Sequence, residues 1–456
     1  MPKTADTSLH KIKNQAQALA LRHLLGLLAH ASDKNLIRLT YWFENLTVDP
    51  AVKRAAQGIR ELIKQKHPAL QLIRRLLRDT DPHCRKKLLV NLILNGFAFN
   101  QQKRTAAAAR GECVPTTILI SPTMRCNLNC VGCYAANYGK ADDLPFEVFD
   151  RIIREGQEAG VAFFTILGGE PFFYQDLFEI FKKHPDVYFQ VYTNGTLLTE
   201  ETVKKIVRLG NVLPIVSVEG FQAETDARRG AGVYERALQA MALLRRYRAP
   251  FGFSVAVTNK NVELVSGDEF IDFMIKQGAV LGWYFLYMPV GKSPDLSLMP
   301  TPLQRRLLKE RVEHIRGTKP IFIVDFWNDA PFVGGCIAGK EYIHITSRGD
   351  VEPCIFTHFA VDNIKEKSLK EVMNSGLFRE LRRRQPYNDN LFLPCMWIDN
   401  PQVSREVFAQ YHAYVTHPGA DDILNDPDIR KGVDDYAQNV GKIYQDVWEK
   451  FTKQKK

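Results

Sequence analysis

From Thr116 onward the chain alternates between short apolar runs and amphipathic segments, and this alternation restricts the fold more than any other feature. The apolar runs are Thr117–Ser121, Ala162–Leu167, Phe189–Thr193, Leu213–Val218, Gly252–Val257 and Trp283–Met288. Between them, apolar residues recur at helical spacing over Phe146–Glu158, Gln175–Lys183, Glu200–Leu209, Tyr234–Tyr247 and Asp268–Lys276. Six strand–helix units predict an α/β fold with a parallel sheet, because each crossover between parallel strands carries a helix. The pattern leaves two architectures open, a doubly wound sheet and a partial barrel. Both seat ligands at the carboxyl ends of the strands.

The flanks read differently. Residues 1–110 are helical and basic in pattern. Leu21, Leu24, Leu25 and Leu28 recur at helical spacing, as do Leu89, Leu92, Ile93 and Phe97. Pro50, Pro68 and Pro82 divide the region into several helices, and the alanine-rich run Lys103–Arg110 reads as a connector. After Gly291 the alternation stops. A charged helix near Pro302–Ile315 precedes a hairpin of Tyr342–Thr346 and Asp350–Cys354, turning through Ser347-Arg348-Gly349. Helices are expected near Leu369–Asn374 and Phe378–Arg384, then a helical tail with a long helix near Asp434–Phe451. The expected organisation is a helical domain over 1–110, a strand–helix domain over 111–300, a small cysteine-containing α+β extension over 301–400 and a helical tail over 401–456.

A chain of 456 residues exceeds one small core. Its net charge of +10 suits a solvated basic surface, an acidic peptide, a nucleic acid or an anionic membrane. No secretory signal is visible, and the longest apolar stretches, Leu24–Ala29 and Val90–Phe99, are too short to span a bilayer. A cytoplasmic location is expected, with peripheral contact at the inner membrane face left open. In a reducing compartment clustered cysteines bind metal or do redox work more often than they form disulfides.

Six of the eight cysteines fall in two groups. The first is Cys126-Asn-Leu-Asn-Cys130-Val-Gly-Cys133, just after the first strand. Three thiolates this close can bind three irons of a cubane and leave the fourth iron open, whereas ferredoxin sites supply four thiolates. A zinc site needs a fourth ligand, and the loop offers none before Asp142. The second group is Cys336, Cys354 and Cys395. Cys84 and Cys113 stand alone and read as structural. Gly168-Gly169-Glu170-Pro171 follows the second strand: glycines permit close backbone approach, though a lone Gly-Gly is usually just a turn. Asn194 ends the third strand, and Ser217 and Glu219 end the fourth; turn capping is the plain alternative for each.

The spacing C-x3-C-x2-C after the first strand, with Gly168–Pro171 after the second, resembles the radical S-adenosylmethionine (SAM) superfamily. The resemblance spans roughly Thr116–Trp397 and implies a partial (β/α)6 TIM-like barrel. It implies that Cys126, Cys130 and Cys133 hold a [4Fe–4S] cluster, and that Gly168, Gly169 and Glu170 bind the amino group of SAM. Asn194, Ser217 and Glu219 correspond to its ribose-side motifs, and Arg228, Arg229 and Gly230 resemble the segment that follows. Family members usually carry an aromatic residue just before the third cysteine; Gly132 stands there instead, which leaves Tyr134 or Val257 to cover the adenine. Cys336, Gly349, Cys354 and Cys395 resemble a shortened SPASM, or twitch, domain with one auxiliary [4Fe–4S] cluster.

The resemblance further implies reductive cleavage of SAM and hydrogen abstraction from an unactivated carbon. It also implies a one-electron donor such as flavodoxin or ferredoxin. Two substrate classes stay open: a peptide or protein, and a lipid-like molecule at a membrane surface. Leu72, Ile73, Leu76 and Leu77 beside Arg74, Arg75, Arg78, Arg85, Lys86 and Lys87 suit an interfacial anchor, or else a helical bundle packed on the barrel. A non-catalytic iron–sulfur sensor or scaffold is the alternative of another class, and no nucleic-acid module is recognisable. Asp325, Glu341, Tyr287 and His358 are candidates for a general acid or base, with none singled out.

Overall fold

The computed structural model describes residues 32–46, 50–139, 141–291 and 293–454. The expected helix carrying Leu21–Leu28 lies outside the described residues.

Nine strands form one sheet: β1 (Thr117–Ile120), β2 (Phe163–Ile166), β3 (Tyr188–Thr193), β4 (Val212–Ser217), β5 (Gly252–Val257), β6 (Leu281–Leu286), β7 (Phe322–Asp325), β8 (Tyr342–Ile345) and β9 (Val351–Glu352). Their order is β7-β6-β5-β4-β3-β2-β1-β8-β9. The pairs from β7 through β1 to β8 are all parallel, and β9 folds back antiparallel on β8. The sheet curls into a partial barrel. The expected six strands all form, and the sheet runs past them on both edges. β7 adds one more unit after the helix Pro302–Thr318, followed by the helix Phe326–Val333. Four residues after Pro320 are too few to show a period in sequence. The expected hairpin is β8–β9, and β8 also pairs in register with β1, Thr117 opposite Tyr342.

One face of each strand packs on the outer helices. Ile118, Ile120, Phe164, Ile166, Phe189 and Val191 meet Phe149, Ile152, Ile153, Ile180 and Phe181 in one continuous core. Alternate residues therefore point inward, as strand geometry requires.

The three prolines that punctuate the N-terminal region each begin a helix: Pro50–Lys64, Pro68–Asp79 and Pro82–Lys87. A proline at the first helical position loses no hydrogen bond. The residues before two of them cap the exposed amides. His67 Nδ1 accepts from Ala69 N at 3.1 Å, and the Asp81 carboxylate accepts from His83 N at 2.8 Å. A π-helix, Leu88–Phe99, follows. Its Leu88 and Leu92 pack on the inward Tyr188, Leu213 and Ile215 and close the barrel floor. The run Lys103–Arg110, expected as a connector, lies in a helix, Gln101–Ala109, with Arg110 at its C-cap. Cys84 is fully buried, and burial pushes its thiol up to about 12.

The C-terminal helix, Pro427–Gln454, fastens the region around Cys395. Arg305 is 0% exposed and pairs with Asp399 through Nη1–Oδ1 at 2.5 Å and Nη2–Oδ2 at 3.2 Å. Nη2 also donates to Phe392 O, and the guanidinium lies 5.3 Å from the Tyr444 ring of that last helix. Asp399 Oδ2 accepts from Cys395 N at 3.0 Å, so the ion pair reaches the cysteine loop directly. Asp399→Ala strands a buried cation, and denaturant unfolding is expected to show a loss of about 3–5 kcal/mol.

Candidate functional site

The sheet brings the motif residues together at the carboxyl ends of β1 to β4. Cys126, Cys130 and Cys133 lie on the loop after β1 and are half-buried free thiols. Burial pushes the Cys126 and Cys130 thiols up. At Cys130 the nearby Arg229 and Arg228 act the other way, and at Cys126 the other two thiols add to the rise. The three are therefore electrostatic neighbours.

The loop is zipped to the segment after β2. Gly169 N donates to Thr123 O at 3.0 Å, and Glu170 N donates to Arg125 O at 2.8 Å. A Cβ on Gly168 would meet Thr123 O at 2.4 Å, and one on Gly169 would meet Arg125 O at 2.3 Å. Glycine is needed here for the close approach of two backbones, whatever else it serves. Glu170 is fully buried and faces the end of β3. Its carboxylate accepts from Thr193 Oγ1 at 2.8 Å and Asn194 N at 2.8 Å. Burial raises its pKa to about 7 against those hydrogen bonds. Asn194 Nδ2 donates to Asn127 Oδ1 at 2.9 Å and lies 3.8 Å from Cys126 Sγ, so it ties β3 to the cysteine loop.

Ser217 Oγ lies 3.1 Å from Ser254 Oγ and keeps partial exposure at the end of β4. Glu219 is buried, and its Oε1 bonds Arg228 Nη1 at 2.5 Å and Arg229 Nη2 at 2.6 Å, while Oε2 accepts from Ala256 N. Glu219 thus places two guanidiniums beside Cys130. Arg228 O also accepts from Val131 N at 2.9 Å within that loop.

Gly132 acquires a reason. Its φ is +62°, and a Cβ there would meet Tyr287 Cε2 at 2.6 Å. The aromatic ring beside the third cysteine comes from the residue after β6 instead of from the loop. The Tyr134 ring lies 6.0 Å from that of Phe356 and 6.3 Å from that of His358, and its buried hydroxyl interacts with the Gly168 backbone.

The second cysteine group also converges. Each of Cys336, Cys354 and Cys395 is buried enough that desolvation pushes its thiol up, to about 12 and about 11 for the first two. Cys336 feels the charge of Cys354, and Cys395 that of Cys336. Tyr342 OH donates to Cys354 Sγ at 2.9 Å. Among the described residues no three His, Cys, Asp or Glu groups close on a single metal ion. Mononuclear zinc needs four ligands around one centre. A cluster instead takes each thiolate on a separate iron, and both groups offer that donor set.

Between the two groups lies an aromatic wall. Tyr192, Trp283, Phe285, Phe326 and Tyr342 point inward and stay part-exposed, while their alternate neighbours are buried under helices. Successive ring centroids lie 6.2 Å (Tyr192–Trp283), 5.8 Å (Trp283–Phe285), 5.8 Å (Phe285–Phe326) and 6.4 Å (Phe326–Tyr342) apart. A buried polar chain runs behind the cysteine loop. Ser121 Oγ lies 2.7 Å from His344 Nε2, His344 Nδ1 2.6 Å from Glu352, and Tyr138 OH donates to Glu352 at 2.7 Å. No sequence motif marks this chain, because its members are dispersed and each is ordinary alone. Of the acid–base candidates, Asp325 caps the helix after β7, Glu341 accepts from Thr116 at the far end of the barrel, and His358 pairs with His417 at 2.7 Å. Tyr287, the fourth, packs on Gly132.

These features set two groups of three cysteines, a glycine-pinned strand end and buried carboxylates at the mouth of a partial barrel, a donor set suited to iron–sulfur clusters. Residues 120–266 match the radical SAM superfamily model, and 336–396 match an iron–sulfur cluster-binding domain. An AdoMet-dependent heme synthase of Methanosarcina barkeri is 30% identical over 298 residues, covering 59% of this chain and 85% of that protein. A pre-heme d1 synthase of Dinoroseobacter shibae is 27% identical, covering 60% and 78%. The fold is similar to SuiB of Streptococcus suis bound to S-adenosylmethionine, with TM-score 0.54, 21% identity and coverage of 64% and 73%. The chain belongs to the radical SAM superfamily. It is a radical SAM enzyme with a [4Fe–4S] cluster and SAM as cofactors, and it carries a SPASM-type domain for an auxiliary cluster.

Proposed function

We propose that this enzyme abstracts hydrogen from an unactivated carbon of an apolar substrate seated against the inner aromatic wall. The observation that carries this reading is the wall itself: five part-exposed rings run inside the barrel from Tyr192, one residue before Thr193, to Tyr342, which touches Cys354. Aromatic rings gain most from apolar partners, and a charged peptide would lose its hydration there with few groups to replace it. Of the two classes open from sequence, a lipid-like molecule therefore fits better than a peptide. A flat tetrapyrrole is a second reading. The stacked pair Trp283–Phe285, with planes 8° apart, favours it, and so do the names of the heme-synthase relatives.

Cys126, Cys130 and Cys133 would hold the SAM-binding cluster, and Cys336, Cys354 and Cys395 the auxiliary one. When bound, these groups supply reductive SAM cleavage to a 5′-deoxyadenosyl radical and a second redox centre. The chain's own part is placement. Gly168, Gly169 and Glu170 hold the SAM end of β2 against the cysteine loop. Glu219 keeps Arg228 and Arg229 beside the anionic thiolates, and Ser217 offers a hydroxyl at the rim. Tyr287 fills the space over Gly132, next to Cys133. A flavodoxin or ferredoxin is the expected electron donor. Among the described residues no helix is long and apolar enough to cross a membrane.

Cys126→Ala, reconstituted without oxygen, is expected to make no 5′-deoxyadenosine, while the parent binds about eight irons per chain. A parent preparation saturating at four irons would remove the auxiliary cluster. Tyr342→Phe deletes a hydrogen bond to a cluster sulfur. Redox titration followed by electron paramagnetic resonance is expected to show a lower auxiliary potential at unchanged iron content. The substrate reading is tested with deuterated lipid, porphyrin and peptide fractions offered separately. Label is expected in 5′-deoxyadenosine from an apolar fraction, and label from the peptide fraction alone overturns the reading.

A further inference from the structure

At the amino ends of β5 and β6, on the barrel face opposite the cysteine loop, a cavity of about 400 Å³ opens where the helix Pro68–Asp79 meets the barrel. Arg75, Arg78, Arg245, Arg248 and Lys276 line it, and Asp79 is its one acid. Among the described residues only Arg78 of these five has a carboxylate partner, Asp79, at 2.7 Å. The others bond backbone carbonyls or nothing. Arg75 donates to Pro320 O, Ile275 O and Ala279 O. Arg248 donates to Asp79 O, Arg78 O and Thr80 O through Nε and Nη2, and among the described residues its Nη1 has no acceptor. Arg245 spends one donor on Lys276 O.

Three helix carboxyl ends, at Asp79, Arg246 and Gln277, take up part of this charge. Each amounts to about half an elementary charge. Five cations against one carboxylate and three such ends still leave a positive excess. Arg75 is partly buried, and desolvation lowers its pKa while Asp79 acts the other way; the other four cations stand at the exposed rim. A cation withdrawn from water with only carbonyl partners is costly unless an anion joins it. Guanidiniums with spare donors fit the oxygens of a phosphate two at a time.

We infer that this cavity is a binding site for a phosphate-bearing ligand, separate from the SAM site. The chemistry is shared by a free phosphate ester and a phospholipid headgroup, and the test separates them. Purified holoenzyme is titrated with inorganic phosphate against chloride at matched ionic strength, reading thermal shift and calorimetric heat. In parallel it is sedimented with phosphatidylglycerol vesicles and with phosphatidylcholine vesicles. The variants are Arg245→Gln/Arg248→Gln and Lys276→Gln; Lys276 is exposed, and among the described residues its side chain has no hydrogen-bond or ion-pair partner, so Lys276→Gln removes no such bond. Saturable phosphate binding that weakens about tenfold in the variants supports a free-ester site. Binding to phosphatidylglycerol vesicles alone, weakened equally, supports the headgroup. Variants that bind like the parent, or a parent that binds neither probe, overturn the site. The comparison with variants also removes any contribution from the basic residues before residue 32.

Discussion

The in-register pairing of β8 with β1 is the contact on which the rest of the arrangement depends. It joins strands from opposite ends of the catalytic region and sets two chemistries side by side. β1 leads into the cysteine loop, and the hairpin begun by β8 ends at Cys354. A slip of one residue would turn Tyr342 and His344 to the other face of the sheet. Tyr342 would then leave Cys354, and His344 would leave Ser121 and Glu352. The pairing lies inside the sheet, with β2 beyond β1 and β9 beyond β8, so a slip would have to break register with those neighbours as well.

Around that pairing, buried polar contacts do the fine placement. Glu170, Glu219 and Glu352 are all buried, and each is surrounded by donors from a different element. Glu170 ties β2 to β3, Glu219 ties β4 to the helix carrying Arg228 and Arg229, and Glu352 ties β9 to the cysteine loop through Tyr138. Satisfied networks of this kind rigidify a site, and each loses much if one member is removed. The Arg305–Asp399 pair plays the corresponding part for the Cys395 loop. It gives the long C-terminal helix a structural purpose that its sequence alone did not disclose.

Much of this was legible from the chain, and the reasons for the rest are physical. The six strands β1 to β6 were readable because each is a buried apolar run of four to six residues bounded by helices. The motif residues were readable because cysteine, paired glycine and strand-end carboxylates carry strong local signals. β7 was not, since four residues show no period. The pairing of β8 with β1 was not, since a hairpin strand carries no mark of a third partner. The aromatic wall escaped notice because Tyr192, Trp283 and Phe326 each look like core residues until their common inward face is known. The basic cavity escaped for the same reason: Arg75 belongs to one helix and Arg245 to another, and only their docking brings them together.

The Gly132–Tyr287 contact has a consequence for how such chains are compared. Aligned column by column, the glycine before the third cysteine counts as a missing aromatic. In space nothing is missing, because a ring from another strand occupies the same volume and the glycine is what admits it. In this chain the volume beside the third cysteine is shared between two positions far apart in sequence. Substitution at either position is then half of an exchange, and its effect depends on which residue stands at the other.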